Sequence, residues 1–180
     1  ILTSSKWYYL VDKFTFLNKD TESTMKGSKK IVDRLNKLLS GELTAADQYF
    51  AHSRMYEDWG LGELNERIKH EMEEELEHAD ALIKRILFLE GTPDLSTRAA
   101  LNVGSNVPEM MANDLELEIS VTGELKAAIK LAESECDYVT RNLLEDMLKT
   151  TEEDHTYWLE IQLGLIEKIG IQNYLQSKLG

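Results

Sequence analysis

The chain has little of several residue types that other fold classes need. Its 180 residues include one cysteine, two prolines and ten glycines. A single cysteine, Cys136, excludes an internal disulfide and a Cys-x-x-Cys metal site, and it fits a reducing compartment, so we expect a cytoplasmic location. The scarcity of proline and glycine leaves long segments rich in Leu, Glu, Ala and Lys. This composition predicts an all-α fold.

Two further absences narrow the function. No apolar run approaches the roughly 18 residues of a membrane span, so we expect no membrane partner. The formal net charge is −13, and the charges of residues 1–24 cancel, so the excess of acid belongs to residues 25–180. An acidic domain disfavours nucleic acid as a partner and attracts metal cations.

The composition divides the chain into two parts. Residues 1–24 are rich in aromatic side chains and resemble neither a signal peptide nor a transit peptide. We interpret them as an N-terminal extension of unknown role, in which Trp7, Leu10, Val11, Phe14 and Leu17 have the spacing of a short amphipathic helix. Residues 25–180 form the main domain.

Start and stop signals place four long helices in this domain. Ser28 can cap a helix that runs to Gly60, and a second helix runs from near Glu63 to Gly91. The weakly patterned stretch 91-GTPDLSTRAALNVGSNV-107 is long enough to cross the outside of a bundle. Pro108 opens a third helix, and a fourth runs from Asp137 to near Gly170. The pattern predicts a four-helix bundle with a long crossover between helices two and three and a short fifth helix over 171–179.

Acidic residues interrupt the inward-facing stripes of these helices, where steps of three and four residues place apolar side chains. The stretch 70-HEMEEELEHAD-80 holds five glutamates, but only Glu71 and Glu75 share the stripe with His78, whereas Glu73, Glu74 and Glu77 flank it or face away. The other inward polar residues are Glu42 on helix one, Glu118 on helix three, and Glu152 and His155 on helix four. Two successive steps of four before Glu152 indicate a local unwinding of that helix.

The inward acids repeat along the chain. Glu75 follows Glu42 by 33 residues and Glu152 follows Glu118 by 34, so each half supplies a lone Glu and then a Glu-x-x-His pair. Buried carboxylates without a countercharge are costly, and no Lys or Arg lies on the stripes. Two divalent cations would balance four glutamates, and this ligand pattern is the one described for di-iron carboxylate bundles. The sequence therefore predicts a dinuclear metal centre.

Three further residues near this centre have alternative interpretations. Tyr49 is either plain core or close enough for its hydroxyl to reach the shell around the metal ligands. His52 is interpreted as a packed core histidine. Glu71 lies on the stripe but one turn early, which favours a role behind the direct ligands.

The segments 25-MKGSKKIVDRLNKLLSGELTAADQYFAHSRMYEDWG-60, 84-KRILFLEG-91 and 169-IGIQNYLQSKL-179 resemble the bacterioferritin family. The resemblance implies a ferroxidase and iron-storage function in a hollow cage of 24 subunits. It assigns Glu42 and His78 to one iron, Glu118 and His155 to the other, and Glu75 and Glu152 as bridges. It also implies an inner-surface iron site at His70 and Glu74. Ile171, Tyr174 and Leu175 form an apolar face that we expect to contact other subunits.

One departure from the family concerns haem. The family binds haem between two subunits through a methionine directly after the bridging Glu of helix two, and this chain has Leu76 there. Leucine offers iron no lone pair, which puts haem b on this subunit in doubt. The resemblance thus implies a ferroxidase-type subunit, either in its own cage or mixed with a haem-binding subunit, acting on Fe²⁺ with O₂ or H₂O₂. The alternatives are a rubrerythrin-like di-iron peroxidase, disfavoured by the lack of a Cys-rich module, and a metal-free structural bundle, which leaves the inward acids unexplained.

Overall fold

A computed structural model describes residues 25–179 of the protein. The described chain contains α1 (Lys29–Asp58), α2 (Gly62–Phe88), α3 (Val107–Ser134), α4 (Tyr138–Thr150), a π-helical turn (Thr151–Thr156), α5 (Tyr157–Ile169) and α6 (Ile171–Ser177). Because α4, the π turn and α5 follow one another without a break, they form the fourth long helix of a bundle. No β-strand occurs in residues 25–179, which confirms the all-α prediction. The amphipathic helix predicted within residues 1–24 lies outside the described residues.

Two hydrophobic clusters fill the bundle, one at each end. The first includes Leu35, Leu39, Leu82, Leu125 and Leu144, and the second includes Tyr56, Leu64, Ile68, Met111 and Leu159. Helix α1 packs on α2 and on α3, while α3 packs on the fourth long helix. On α1 the first cluster ends at Leu43 and the second begins at Ala45, so Glu42 lies next to the boundary between them and the polar centre sits mid-bundle. Within the described residues, no helix is long and apolar enough to cross a bilayer.

The crossover between α2 and α3 runs along α1 and is fixed there by polar side chains. Asn36 accepts a hydrogen bond from the backbone N–H of Asp94 at 2.8 Å, and the Thr44 hydroxyl accepts one from Ala99 at 3.0 Å. The Gln48 side chain accepts another from the backbone of Asn102 at 3.0 Å. These α1 residues are spaced by multiples of four and therefore line one helix face. Side chains of α1 thus satisfy three backbone N–H groups of the crossover, which has no secondary structure of its own.

The helix ends follow from local chemistry. The Asp137 carboxylate caps α4 by accepting a hydrogen bond from the backbone N–H of Thr140 at 3.0 Å, and it also pairs with Arg85 of α2 at 2.7 Å. At Gly170 the backbone takes φ 78°, a left-handed conformation that favours glycine, and this separates α5 from α6.

The short helix α6 folds back on its own bundle. Tyr174 is fully buried, and its hydroxyl donates to the side-chain oxygen of Gln162 at 2.9 Å. Ile171 and Leu175 pack against the same end cluster. The expectation that this face contacts other subunits is therefore corrected for Tyr174, because the subunit itself covers its ring.

We expect Asp137→Ala to lower the free energy of unfolding by about 1–3 kcal/mol, because it removes a helix cap and the partner of a half-buried arginine. Urea denaturation would measure the change. Asp146→Ala, at an exposed position on the same helix, is the control and should change stability by less than about 0.5 kcal/mol. Equal stability of the two variants would contradict this role of Asp137.

Candidate metal centre

A cluster of buried carboxylates and histidines occupies the middle of the bundle. Glu42, Glu75, Glu118 and His155 are each 1% exposed. Ligand atoms of Glu42, Glu75 and His78 lie within 4.8 Å of one another, and so do those of Glu75, Glu118 and His155. The structure therefore brings together five of the six predicted ligands in two adjoining groups.

Glu75 belongs to both groups and connects them. Its Oε2 lies 3.1 Å from Nδ1 of His78, and its Oε1 lies 2.9 Å from Nδ1 of His155. The two imidazole rings are 6.2 Å apart between centroids. One carboxylate thus presents a separate oxygen to each side, which is the geometry that a ligand bridging two cations needs.

Proximity and burial together raise the pKa values of Glu42, Glu118 and His78. Burial and the charge of Glu75 raise the pKa of Glu42 well above its usual value. Burial, followed by the charge of Glu75, also raises the pKa of Glu118 to about 7. For His78, burial acts to lower the pKa, but the carboxylates of Glu42 and Glu75 outweigh it and raise the pKa to about 10. Without cations the centre therefore holds protons that bound metal would displace.

Tyr49 contacts one of the predicted ligands. Its hydroxyl donates a hydrogen bond to Oε1 of Glu118, and the side chain is buried. Burial and the neighbouring charge of Glu118 raise the pKa of Tyr49, so the phenol stays protonated and can act as a donor. Of the two interpretations of Tyr49, this contact favours the one in which the phenol orients a ligand.

Glu152 departs from its predicted inward position. Its side chain is 43% exposed and lies 2.5 Å from Nζ of Lys126 on α3. The cause is the π turn, which contains Glu152 and lies where the spacing indicated unwinding. A π turn holds more residues than an α turn, so residues three apart no longer lie side by side, and Thr151 takes the inward place.

The acids on the other side of His155 lie closer than their sequence positions indicated. Nε2 of His155 is 2.6 Å from Glu71 and 3.1 Å from Glu74. Glu71 is buried and also contacts Arg67 at 2.5 Å, so an arginine does pair with a buried acid of this region. His70 is largely exposed, with Nδ1 at 3.6 Å from Glu74. Glu74, interpreted as flanking the stripe, in fact reaches the edge of the centre.

A second buried polar group was missed by the sequence analysis. Asp114 is fully buried, 2.9 Å from Nδ1 of His52, and accepts a hydrogen bond from the Gln48 amide at 2.8 Å. The signal was present in α3, where the observed buried stripe runs in unbroken steps of three and four: Met111, Asp114, Glu118, Val121, Leu125, Ala128 and Ala132. The same spacing also allows an apolar series through Leu115, which is only partly buried. His52 is buried in the core, as expected.

The position of the family's haem ligand is occupied by Leu76, which is 47% exposed on α2. The side chain has no donor atom for iron. Met72, one turn away on the same helix, packs against the end cluster. The residues at this place therefore do not fit axial ligation of haem.

The donor set of the centre does fit divalent cations. Both carboxylate oxygens of Glu42 are buried and accept no hydrogen bond, although Oε2 lies 3.5 Å from Nδ1 of His78. Buried polar atoms without partners are costly, and a cation would satisfy them. Carboxylate and imidazole ligands suit iron, and they suit zinc at least as well.

Comparison with known proteins agrees with this geometry. A family model described as a ferritin-like domain matches residues 32–169. A bacterial ferritin of Synechocystis sp. is 59% identical over 155 residues, which cover 86% of this chain and 99% of that protein. A bacterial ferritin of Pseudomonas aeruginosa is 55% identical over 155 residues, covering 86% of this chain and all of that protein, 100%. A bacterioferritin of Brucella melitensis is 41% identical over 152 residues, covering 84% and 94%.

The fold and the centre together define a ferritin-like helical bundle. The chain belongs to the ferritin family, which confirms the resemblance seen in the sequence.

The raised pKa of Glu42 predicts how a substitution there changes the stability of the metal-free protein. A carboxyl whose pKa is raised on folding stabilises the fold only below its unfolded pKa, near 4.5, and this contribution is lost as pH rises. We therefore expect Glu42→Gln, in chelator, to raise the free energy of unfolding at pH 7 by more than about 1 kcal/mol, with little difference at pH 4. Urea denaturation at both pH values would measure it.

Glu73→Gln, at an exposed position of α2, is the matched control and should be silent at both pH values. A Glu42→Gln protein that is less stable than the parent at pH 7 would show that the parent benefits from an ionised Glu42.

Proposed function

We propose that this protein stores iron and acts as a ferroxidase, oxidising Fe²⁺ to Fe³⁺ at a paired site inside the bundle. The observation that carries the proposal is Glu75, which offers one carboxylate oxygen to each of two adjoining ligand groups. Family membership supports iron as the metal, since the ligand types alone do not choose it.

Each side of the centre has its own role in binding the substrate. Glu42 and His78 bind one Fe²⁺, and Glu118 and His155 bind the other. Glu75 bridges the two ions. The hydroxyl of Tyr49 holds the carboxylate of Glu118 in place through its hydrogen bond. Because the bound cations replace the protons of Glu42 and the histidines, iron binding releases protons and weakens as pH falls.

The reaction needs two electrons, and the paired site supplies them together. Each Fe²⁺ gives up one electron, so a pair reduces O₂ with two protons to H₂O₂, or reduces H₂O₂ with two protons to two waters. Simultaneous transfer limits the release of one-electron oxygen radicals. The apolar clusters on both sides of the centre restrict solvent around the reacting ions.

The family resemblance suggests where the oxidised iron is stored. We infer that the chain assembles into a cage of 24 subunits, alone or mixed with a haem-binding subunit, in the cytoplasm, and that Fe³⁺ passes to mineral inside. His70 and Glu74 form the inner-surface iron site in this proposal. Glu74 lies between His70 and His155, which connects that site to the paired centre.

A metal-free structural bundle is the principal alternative. It is disfavoured by the buried oxygens of Glu42, which accept no hydrogen bond and which such a bundle has no reason to retain. The rubrerythrin-like peroxidase shares the paired site, but it also needs a Cys-rich module. This chain has one cysteine, Cys136, which cannot form such a module.

Anaerobic titration with Fe²⁺ tests the function. We expect saturable binding of about two Fe²⁺ per chain and rapid oxidation when air is admitted. Glu75→Ala removes the shared ligand, and it should abolish the fast phase while the protein stays folded, because the change also removes a buried charge. Stopped-flow absorbance of ferric species would follow the rate.

Glu73→Ala serves as the control for this experiment because Glu73 is exposed and outside the centre. Wild-type initial rates in Glu75→Ala would refute the bridging role of Glu75. Absence of saturable Fe²⁺ binding by the parent protein would favour the metal-free bundle.

The second prediction from this proposal concerns haem. We expect the purified protein to contain little haem even when haem is supplied during expression, because Leu76 cannot ligate it. Leu76 is about half exposed, so Leu76→Met should cost little stability. If this leucine is the sole obstacle, the variant should show the absorption spectrum of bis-methionine haem. Stoichiometric haem in the parent protein would point to another ligand, with Met72 the first to replace.

A further inference from the structure

The second half of the bundle is one residue longer than the first between equivalent ligands. Glu42 and His78 are 36 residues apart, whereas Glu118 and His155 are 37 apart. The fourth helix absorbs the additional residue in the π turn Thr151–Thr156. Thr151 follows Glu118 by 33 residues, as Glu75 follows Glu42, and it is buried in the corresponding inward place. The second half therefore presents a hydroxyl where the first half presents a carboxylate.

Three acids of the π turn could supply the absent carboxylate, and two are engaged elsewhere. Asp154 pairs with Arg67 at 2.6 Å, on the other side of His155. Glu153 is 70% exposed and lies 4.0 Å from Lys149 on its own helix. Glu152 alone is directed towards α3, where its Oε1 meets Nζ of Lys126 at 2.5 Å.

One face of α3 connects Lys126 with the metal centre. Glu118, Thr122 and Lys126 follow one another at steps of four residues, so their side chains line the same face. The hydroxyl of Thr122, midway between the ligand and the lysine, is buried and has no hydrogen-bond partner. A carboxylate moving from Lys126 towards Glu118 would pass this donor.

We propose that Lys126 is a positioning residue of the metal centre, which holds Glu152 outside until a second cation binds. The proposal rests on the proposed function. When the second cation binds, the π turn shifts towards α4, so that Glu152 and His155 lie side by side as in a regular α-helix. The shift needs no change of chain length, because the additional residue stays within the same helix. An exposed ion pair contributes little free energy, so a metal–carboxylate contact can replace it reversibly.

Titration of the metal-free protein with Co²⁺ tests the proposal, because the visible spectrum of Co²⁺ reports both stoichiometry and coordination without turnover. We expect the parent protein to bind two ions in separable steps. Glu152→Gln should weaken the second step by at least about tenfold and leave the first nearly unchanged. Glu153→Gln, at the exposed neighbouring position, is the matched control and should behave as the parent.

Lys126→Gln separates the holding role from ligation. Releasing Glu152 should tighten the second step by up to about fivefold, whereas Lys130→Gln, at an exposed position one turn further along α3, should not. The double variant Thr151→Glu with Glu152→Gln supplies the carboxylate from the inward position. Its second step should be restored and should no longer respond to Lys126→Gln.

The outcomes distinguish this proposal from the proposed function. If the chain binds two Co²⁺ and Glu152→Gln leaves the affinity of the second step unchanged, the role of Lys126 and Glu152 is overturned but the paired centre is retained. A second step weakened by Lys126→Gln would likewise overturn the holding role. Failure of the parent protein to bind Co²⁺ and Fe²⁺ would overturn both proposals.

Discussion

Four glutamate side chains lie inside an apolar bundle, and the arrangement of the interior depends on how their charge is balanced. Glu42, Glu71, Glu75 and Glu118 are each at most 2% exposed. An isolated buried carboxylate costs several kcal/mol even after relaxation. The protein meets this cost with two imidazoles, with protons retained on the groups whose pKa is raised, and with Arg67 beside Glu71. The two hydrophobic clusters flank this centre and supply the apolar burial that holds it together.

The charges around His78 differ from those around His155 on the other side of the centre. His78 faces two carboxylates, Glu42 and Glu75, whereas His155 contacts acids on both of its nitrogens. Its Nδ1 lies near Glu75 and Glu118, and its Nε2 lies near Glu71 and Glu74. Two cations bound here would therefore have different surroundings, although their ligands come from a repeated sequence pattern. The asymmetry follows from one additional residue in the fourth helix and from the acids of α2 that face it.

The sequence predicted the helices well because their periodicity is strong, although Ser28 makes no capping hydrogen bond and, within residues 25–179, only Asn106 and Asp137 cap their helices with a side chain. Glu42, Glu75 and Glu118 could be placed inside because each sits in a regular series of apolar residues. Glu152 could not, because a π turn changes the spacing that such series assume, and two steps of four only hinted at it. Asp114 was missed because the stripe of α3 can be drawn through Leu115, and only packing against His52 decides between them. The packing of Tyr174 depends on the direction that α6 takes after Gly170, which periodicity does not encode.

The crossover has a consequence for the order of folding. It divides the bundle into the hairpin of α1 and α2 and the hairpin of α3 and the fourth long helix, and docking the two must close a long loop, whose entropy slows that step. Glu42, Glu75 and His78 all belong to the first hairpin, whereas the His155 side draws on both. One of the two ligand groups is thus assembled within a single hairpin, and the other needs both hairpins. A divalent ion could stabilise the first hairpin before the halves dock, so that metal supply would influence the rate at which the subunit matures.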